Sequence, residues 1–88
     1  SATVKQNRAE LTEGLERLGF TVLSSDANFV LASHPRHTGI DLTAHLKTQH
    51  ILVRSWSSQD LLPWVRITVG TKDQQAHLLR ALADYLGS

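Results

Sequence analysis

The run Trp64-Val65-Arg66-Ile67-Thr68-Val69 alternates its side chains with the two-residue period of a β-strand. Val65, Ile67 and Val69 share one face; Trp64, Arg66 and Thr68 share the other. Such a strand fits a sheet that is covered on one side and open on the other. The cover must come from the rest of an 88-residue chain, which is enough for one domain with a modest core.

Three stretches have the period needed to supply it. Residues 3–18 read as a helix with Leu11, Leu15 and Leu18 at i, i+4 and i+7, and with Lys5, Arg8, Glu10, Glu13, Glu16 and Arg17 on the wet faces. Gly19 follows where a left-handed cap is wanted, and Phe20 is placed to fold back on the last turn. Gly14 inside this helix costs about 1 kcal/mol relative to Ala, so the helix depends on packing. Thr38-Gly39-Ile40-Asp41 resembles a capping box with Asp in place of Glu. It opens a helix to about residue 49, with Leu42 and Leu46 inward and Ala44 or His45 as a third. Thr71-Lys72-Asp73-Gln74 is a second such start, before a stripe of Leu78, Ala81, Leu82 and Tyr85 that ends at Gly87.

Strands are expected at residues 20–24, 28–33, 51–54 and 65–69, with a turn at Ser25-Asp26-Ala27 and a Pro-containing loop at residues 34–37. The order αββαββα predicts an α+β fold: a two-layer sandwich over residues 1–88, helices on one face of a small, mostly antiparallel sheet.

Composition removes several function classes. Nine basic residues against eight acidic ones give a net charge of +1, and no dense basic stretch exists, so nucleic acid is not an expected partner. The absence of cysteine excludes disulfides and thiolate chemistry and fits a cytoplasmic protein. The apolar runs are too short for a membrane span or a signal peptide.

On the open face, the parity of residues 51–54 sets Arg54 beside Leu52 and opposite Ile51 and Val53. If the third and fourth strands are neighbours, Arg54 and Arg66 lie on one side of the sheet. Two readings are open. They are solvated arginines on an exposed face, or they recognise an anion, since guanidinium holds carboxylate and phosphate bidentately at any working pH.

The segments Asp26-Ala27-Asn28-Phe29-Val30-Leu31, Ile51-Leu52-Val53-Arg54 and Val65-Arg66-Ile67-Thr68-Val69-Gly70-Thr71, with the closing Leu-rich helix, resemble the C-terminal small domain of histidinol-phosphate aminotransferases, which are fold-type I pyridoxal-phosphate enzymes. The resemblance covers nearly the whole chain. It implies that Arg66 binds the α-carboxylate of the substrate, that Arg54 lies near the distal end where a phosphate sits, and that Asn28 has a local structural role beside the site. The family usually carries a glycine-containing loop between the two arginine strands; Ser55-Trp56-Ser57-Ser58-Gln59-Asp60 departs from that pattern. The resemblance further implies a large domain of the same enzyme, a homodimer, and an amino-acid or phosphorylated amino-acid substrate.

Amino transfer needs a lysine for the cofactor, a carboxylate at its pyridine nitrogen and a phosphate cradle. Lys5, Lys47 and Lys72 all fit helix surfaces or a helix start, outside the family's cofactor-lysine context. These residues are therefore expected to hold no pyridoxal phosphate productively and to catalyse nothing alone, with catalytic and metal residues absent. The alternative is a stand-alone module that binds a small anion or a protein through its Arg/Trp face.

Other signals lead elsewhere. His34 and His37 are expected as solvated loop residues, His45 and His77 as helix-surface residues and His50 at a helix end; none has zinc spacing. No G-x-S-x-G supports a serine nucleophile, and Gly70-Thr71-Lys72 lacks a phosphate loop's upstream glycine, which leaves Thr71 as a cap. Trp56 and Trp64 either fold onto the sheet end or, the favoured reading, meet the missing domain or a dimer mate.

Overall fold

In a computed structural model that describes residues 2–24 and 26–87, helix α1 (Ala2–Arg17) stops where Gly19 turns left-handed at φ 94°. The Gly19 amide donates to Glu16 O and the Phe20 amide to Leu15 O, the paired bonds of a Schellman cap, and Phe20 folds back into the core as expected. Strands β1 (Thr21–Ser24) and β2 (Phe29–Ser33) follow, then α2 (Gly39–Thr48), β3 (Arg54–Ser55), a single 3-10 turn (Gln59–Leu61), β4 (Trp64–Thr68) and α3 (Lys72–Leu86). The order is αββαββα, with three helices on one face of a four-stranded antiparallel sheet ordered β1-β2-β4-β3.

Parity sorts β4 as expected. Val30 and Ala32 of β2 and Val65 and Ile67 of β4 are buried. They meet Leu11 and Leu15 of α1, Leu42 and Leu46 of α2, and Leu78, Ala81 and Leu82 of α3 in one core. Gly14 fits this packing, because a Cβ there would lie 2.6 Å from Leu79 Cδ1 of α3. Gly39 is tighter: it donates to Leu62 O, and a Cβ on it would fall 2.2 Å from Trp64 O. Helix α2 thus starts flush against the backbone that begins β4.

Both helix starts expected from Thr are present. Thr71 and Gln74 make the full capping box at α3. At α2 the Thr38 hydroxyl accepts from the Asp41 amide, the forward half of the motif. A buried side-chain network ties α1 to the loop before α3: Asn7 Nδ2 donates to Gly70 O, and Gln75 Nε2 donates to Asn7 O. On the surface, Lys72 Nζ reaches both carboxylate oxygens of Glu10 at 2.9 Å and holds that carboxyl below its ordinary pKa.

Two expectations are corrected. The third strand is not residues 51–54; only Arg54 and Ser55 pair with β4. The chain is still closing α2 at that point, since His50 is left-handed at φ 62° and the Ile51 amide donates to Leu46 O. The inward–outward parity survives the loss of pairing: Ile51 and Val53 pack against the core, and Leu52 is 80% exposed. Nor is His34 a solvated loop residue. It is buried, its ring nitrogens face Leu18 O and the Arg36 amide at 3.2 Å, and its ring meets Phe20 edge-on. Of the turn expected at Ser25-Asp26-Ala27, Ser25 lies outside the described residues; Asp26 Oδ1 accepts from the Asn28 amide at 2.7 Å.

Candidate functional site

The helix-free face of the sheet is built from the outward residues of all four strands. The antiparallel register lines up Leu23, Leu31, Arg66 and Arg54 in one row across the sheet. Thr21, Ser33 and Trp64 form a second row, and Phe29 stands opposite Thr68 in a third. The sequence-expected pair is therefore brought together: Arg54 and Arg66 are direct cross-strand partners.

Like charges directly opposite each other destabilise a sheet. Among the described residues the ion pairs are Arg17–Glu13 and Lys72–Glu10, so neither arginine of this face is neutralised by a carboxylate. Each lies over an aromatic ring. The Arg66 guanidinium carbon is 4.4 Å from the centroid of Phe29, and that of Arg54 is 5.4 Å from Trp56. Arg66 is half-buried and Arg54 exposed. This face can offer two positive groups without a carboxylate partner among the described residues, and guanidinium groups suit carboxylate or phosphate.

Asn28 stands one residue before Phe29. Its amide is held by Asp26 in an Asx turn, and its carbonyl accepts from the Val69 amide at 2.8 Å. Arg8 braces the same turn by donating to Asp26 O and Ser24 Oγ. Among the described residues no hydrogen bond joins Asn28 to either arginine, so it meets the site only through the backbone that carries Phe29. Trp64 is half-buried on the open face, and Trp56 is half-buried against Arg54.

His34, His45 and His77 lie away from this face and work between elements. His45 Nε2 meets Ala81 O at 3.1 Å and its ring stacks on Tyr85; His77 Nε2 meets Gln49 O at 2.9 Å. Burial, with Arg36 and His37 nearby adding to it, pushes the His34 pKa below its ordinary value, against the pull of the Leu18 carbonyl. Among the described residues no group of His, Cys, Asp or Glu is arranged to hold a metal ion. No helix there is long and apolar enough to cross a membrane.

Sequence reasoning missed two features. Phe29 and Trp56 as supports for the arginines depend on contacts through space. A cleft of about 320 Å³ opens where residues 51–53 leave the ladder, bordered by Leu52, Thr68, Gln74 and His77. The lysines do not serve the open face: Lys5 and Lys47 are exposed on helices that cover the other side, and Lys72 is engaged with Glu10. The chain's own residues thus do not fit a Schiff-base site for pyridoxal phosphate.

Comparison with known proteins adds the family context. The family model for aminotransferase class I and II matches residues 1–82. The histidinol-phosphate aminotransferase of Acetobacter pasteurianus is 46% identical over 85 residues, covering 97% of this chain and 24% of that protein. The enzyme of the same name from Acinetobacter baylyi is 43% identical over 79 residues, covering 90% of this chain and 22% of that protein. Among solved structures, the histidinol-phosphate aminotransferase of Clostridium acetobutylicum superposes with a TM-score of 0.84 at 27% identity, over 98% of this chain and 27% of that one. The L-threonine-O-3-phosphate decarboxylase of Porphyromonas gingivalis gives a TM-score of 0.83 at 28% identity, over 94% and 27%. The chain spans about a quarter of the length of the relatives it matches.

Proposed function

The chain belongs to the aminotransferase class I and II family, and on that premise we propose that it is the small domain of a pyridoxal-phosphate-dependent aminotransferase of histidinol-phosphate type, orienting the substrate by its anionic groups. The observation that carries the reading is the cross-strand pairing of Arg54 and Arg66 on a helix-free face, without a carboxylate partner among the described residues. Arg66 takes the α-carboxylate of an amino acid through a two-pronged, charge-assisted hydrogen bond. Arg54 takes a distal phosphate. One relative is named for threonine O-3-phosphate, which carries a carboxylate and, at its other end, a phosphate ester; this supports a phosphate at that end. Asn28 keeps its local role, holding the start of β2 in place.

The cofactor supplies the amino-transfer chemistry when it is bound to the large domain of the same enzyme. The small domain contributes orientation. Its arginines hold the anionic groups that the substrate carries, and Leu23, Leu31 and Trp64 keep water from the closed face when it meets the large domain. The intact enzyme is a homodimer in the cytoplasm in this reading.

The test is Arg66→Lys in the complete enzyme. A point charge does not reproduce the guanidinium fork, so kcat/KM for an amino-acid donor falls by about 10-fold to 100-fold, the range for a charge-assisted hydrogen bond. Unchanged kinetics refute the role of Arg66.

A further inference from the structure

Two guanidinium groups set opposite each other in a ladder need a reason to hold separate positions, and the aromatic contacts of this face supply one. The sheet order β1-β2-β4-β3 puts Phe29, on β2, to one side of Arg66, and Arg54, on β3, to the other. Arg66 lies over Phe29, the residue diagonal to it, at 4.4 Å, and so leans away from β3. Arg54 lies over Trp56, two residues on along its own edge segment, at 5.4 Å, and so leans along that segment. Each ring face attracts one cation and lowers the cost of holding two like charges side by side.

We infer that Phe29 and Trp56 are positioning residues, which hold Arg66 and Arg54 in separate places so that the face presents two separate anion sites and not one shared site. The inference deepens the function proposed above and rests on it. The two rings then have separable effects. Phe29 governs the site that takes the carboxylate. Trp56, which lies in the segment between β3 and β4, governs the site that takes the distal phosphate. A substrate without the distal phosphate is indifferent to Trp56.

The experiment measures KM and kcat of the complete, cofactor-loaded enzyme for a phosphorylated amino substrate and for an unphosphorylated amino-acid donor. Loss of an aromatic support for a cation corresponds to between about 2-fold and about 30-fold in binding. Phe29→Leu is expected to raise KM for the amino-acid donor within that range, and Phe29→Tyr, which restores the ring, to recover most of the loss. Trp56→Leu is expected to raise KM for the phosphorylated substrate alone, and Trp56→Phe to recover it in part. Equal losses for both substrates in both leucine variants indicate a merely structural role and overturn the inference. So does an unchanged KM in both variants while Arg66→Lys raises it, an outcome that leaves the proposed function standing. No effect of Arg66→Lys overturns the proposed function and this inference together.

Discussion

Gly39→Ala is the substitution whose cost is most directly set by the structure. The added Cβ would lie 2.2 Å from Trp64 O, 2.9 Å from Trp64 C and 3.2 Å from Leu62 O. All three are backbone atoms, and Leu62 O also accepts the Gly39 amide. Relief therefore requires α2 to back away from the start of β4 by about 1 Å, because carbon and oxygen normally approach no closer than about 3.3 Å. Overpacking of this kind costs about 1–3 kcal/mol and sometimes more. The gain in helix propensity from Gly to Ala offsets at most about 1 kcal/mol. A net loss of about 2 kcal/mol lowers the unfolding midpoint by roughly 10 °C for a domain of this size. The assay is thermal unfolding followed by circular dichroism, with Gly14→Ala beside it. There the conflict, at 2.6 Å, is with the end of the Leu79 side chain. That side chain has other rotamers, and the propensity gain applies in mid-helix, so Gly14→Ala stays within about 1 kcal/mol of the parent. A Gly39→Ala midpoint equal to that of the parent refutes the reasoning.

Two further outcomes follow from the packing. Thr71→Ala removes the hydroxyl that accepts the Gln74 amide and is expected to cost about 1 kcal/mol, near 5 °C in the unfolding midpoint, while Thr71→Ser keeps it; equal midpoints for all three contradict the cap. The folded pKa of His34 lies below its ordinary value because burial disfavours the imidazolium, so the unfolded chain takes up that proton first as pH falls. Its stabilising contribution is complete above about pH 6.5 and is lost as pH falls from there to the folded pKa. Urea unfolding at a series of pH values should show a steeper acid loss in the parent than in His34→Gln, and identical pH profiles would contradict this assignment.

What was legible in the sequence was local. Thr71 and Gln74 are three residues apart, and their capping box forms where the spacing puts it. The alternation from Trp64 to Thr68 sorted β4 into its buried and open faces without knowledge of its neighbours. Gly19 and Phe20 closed α1 as their types require. The failures all involve partners distant in the chain or a competing local bond. The burial of His34 depends on Leu18 O, sixteen residues earlier, and on the face of Phe20. The shortness of β3 follows from the amide of Ile51 being spent on Leu46.

The arginine pair shows the same boundary. The sequence placed Arg54 and Arg66 on one face by parity, conditional on adjacency, and the register meets that condition by setting them opposite each other. The rings beneath them were beyond reach of parity, since Phe29 belongs to another strand and Trp56 to a segment without regular pairing.

The central claim is that Arg66 holds the substrate carboxylate. A crystal structure of the complete enzyme with an amino-acid donor bound tests it most directly. Both carboxylate oxygens are expected at about 2.8 Å from the Arg66 guanidinium nitrogens, with the ring of Phe29 still beneath it. A carboxylate held by residues of another element, with Arg66 turned away from it, would contradict the account.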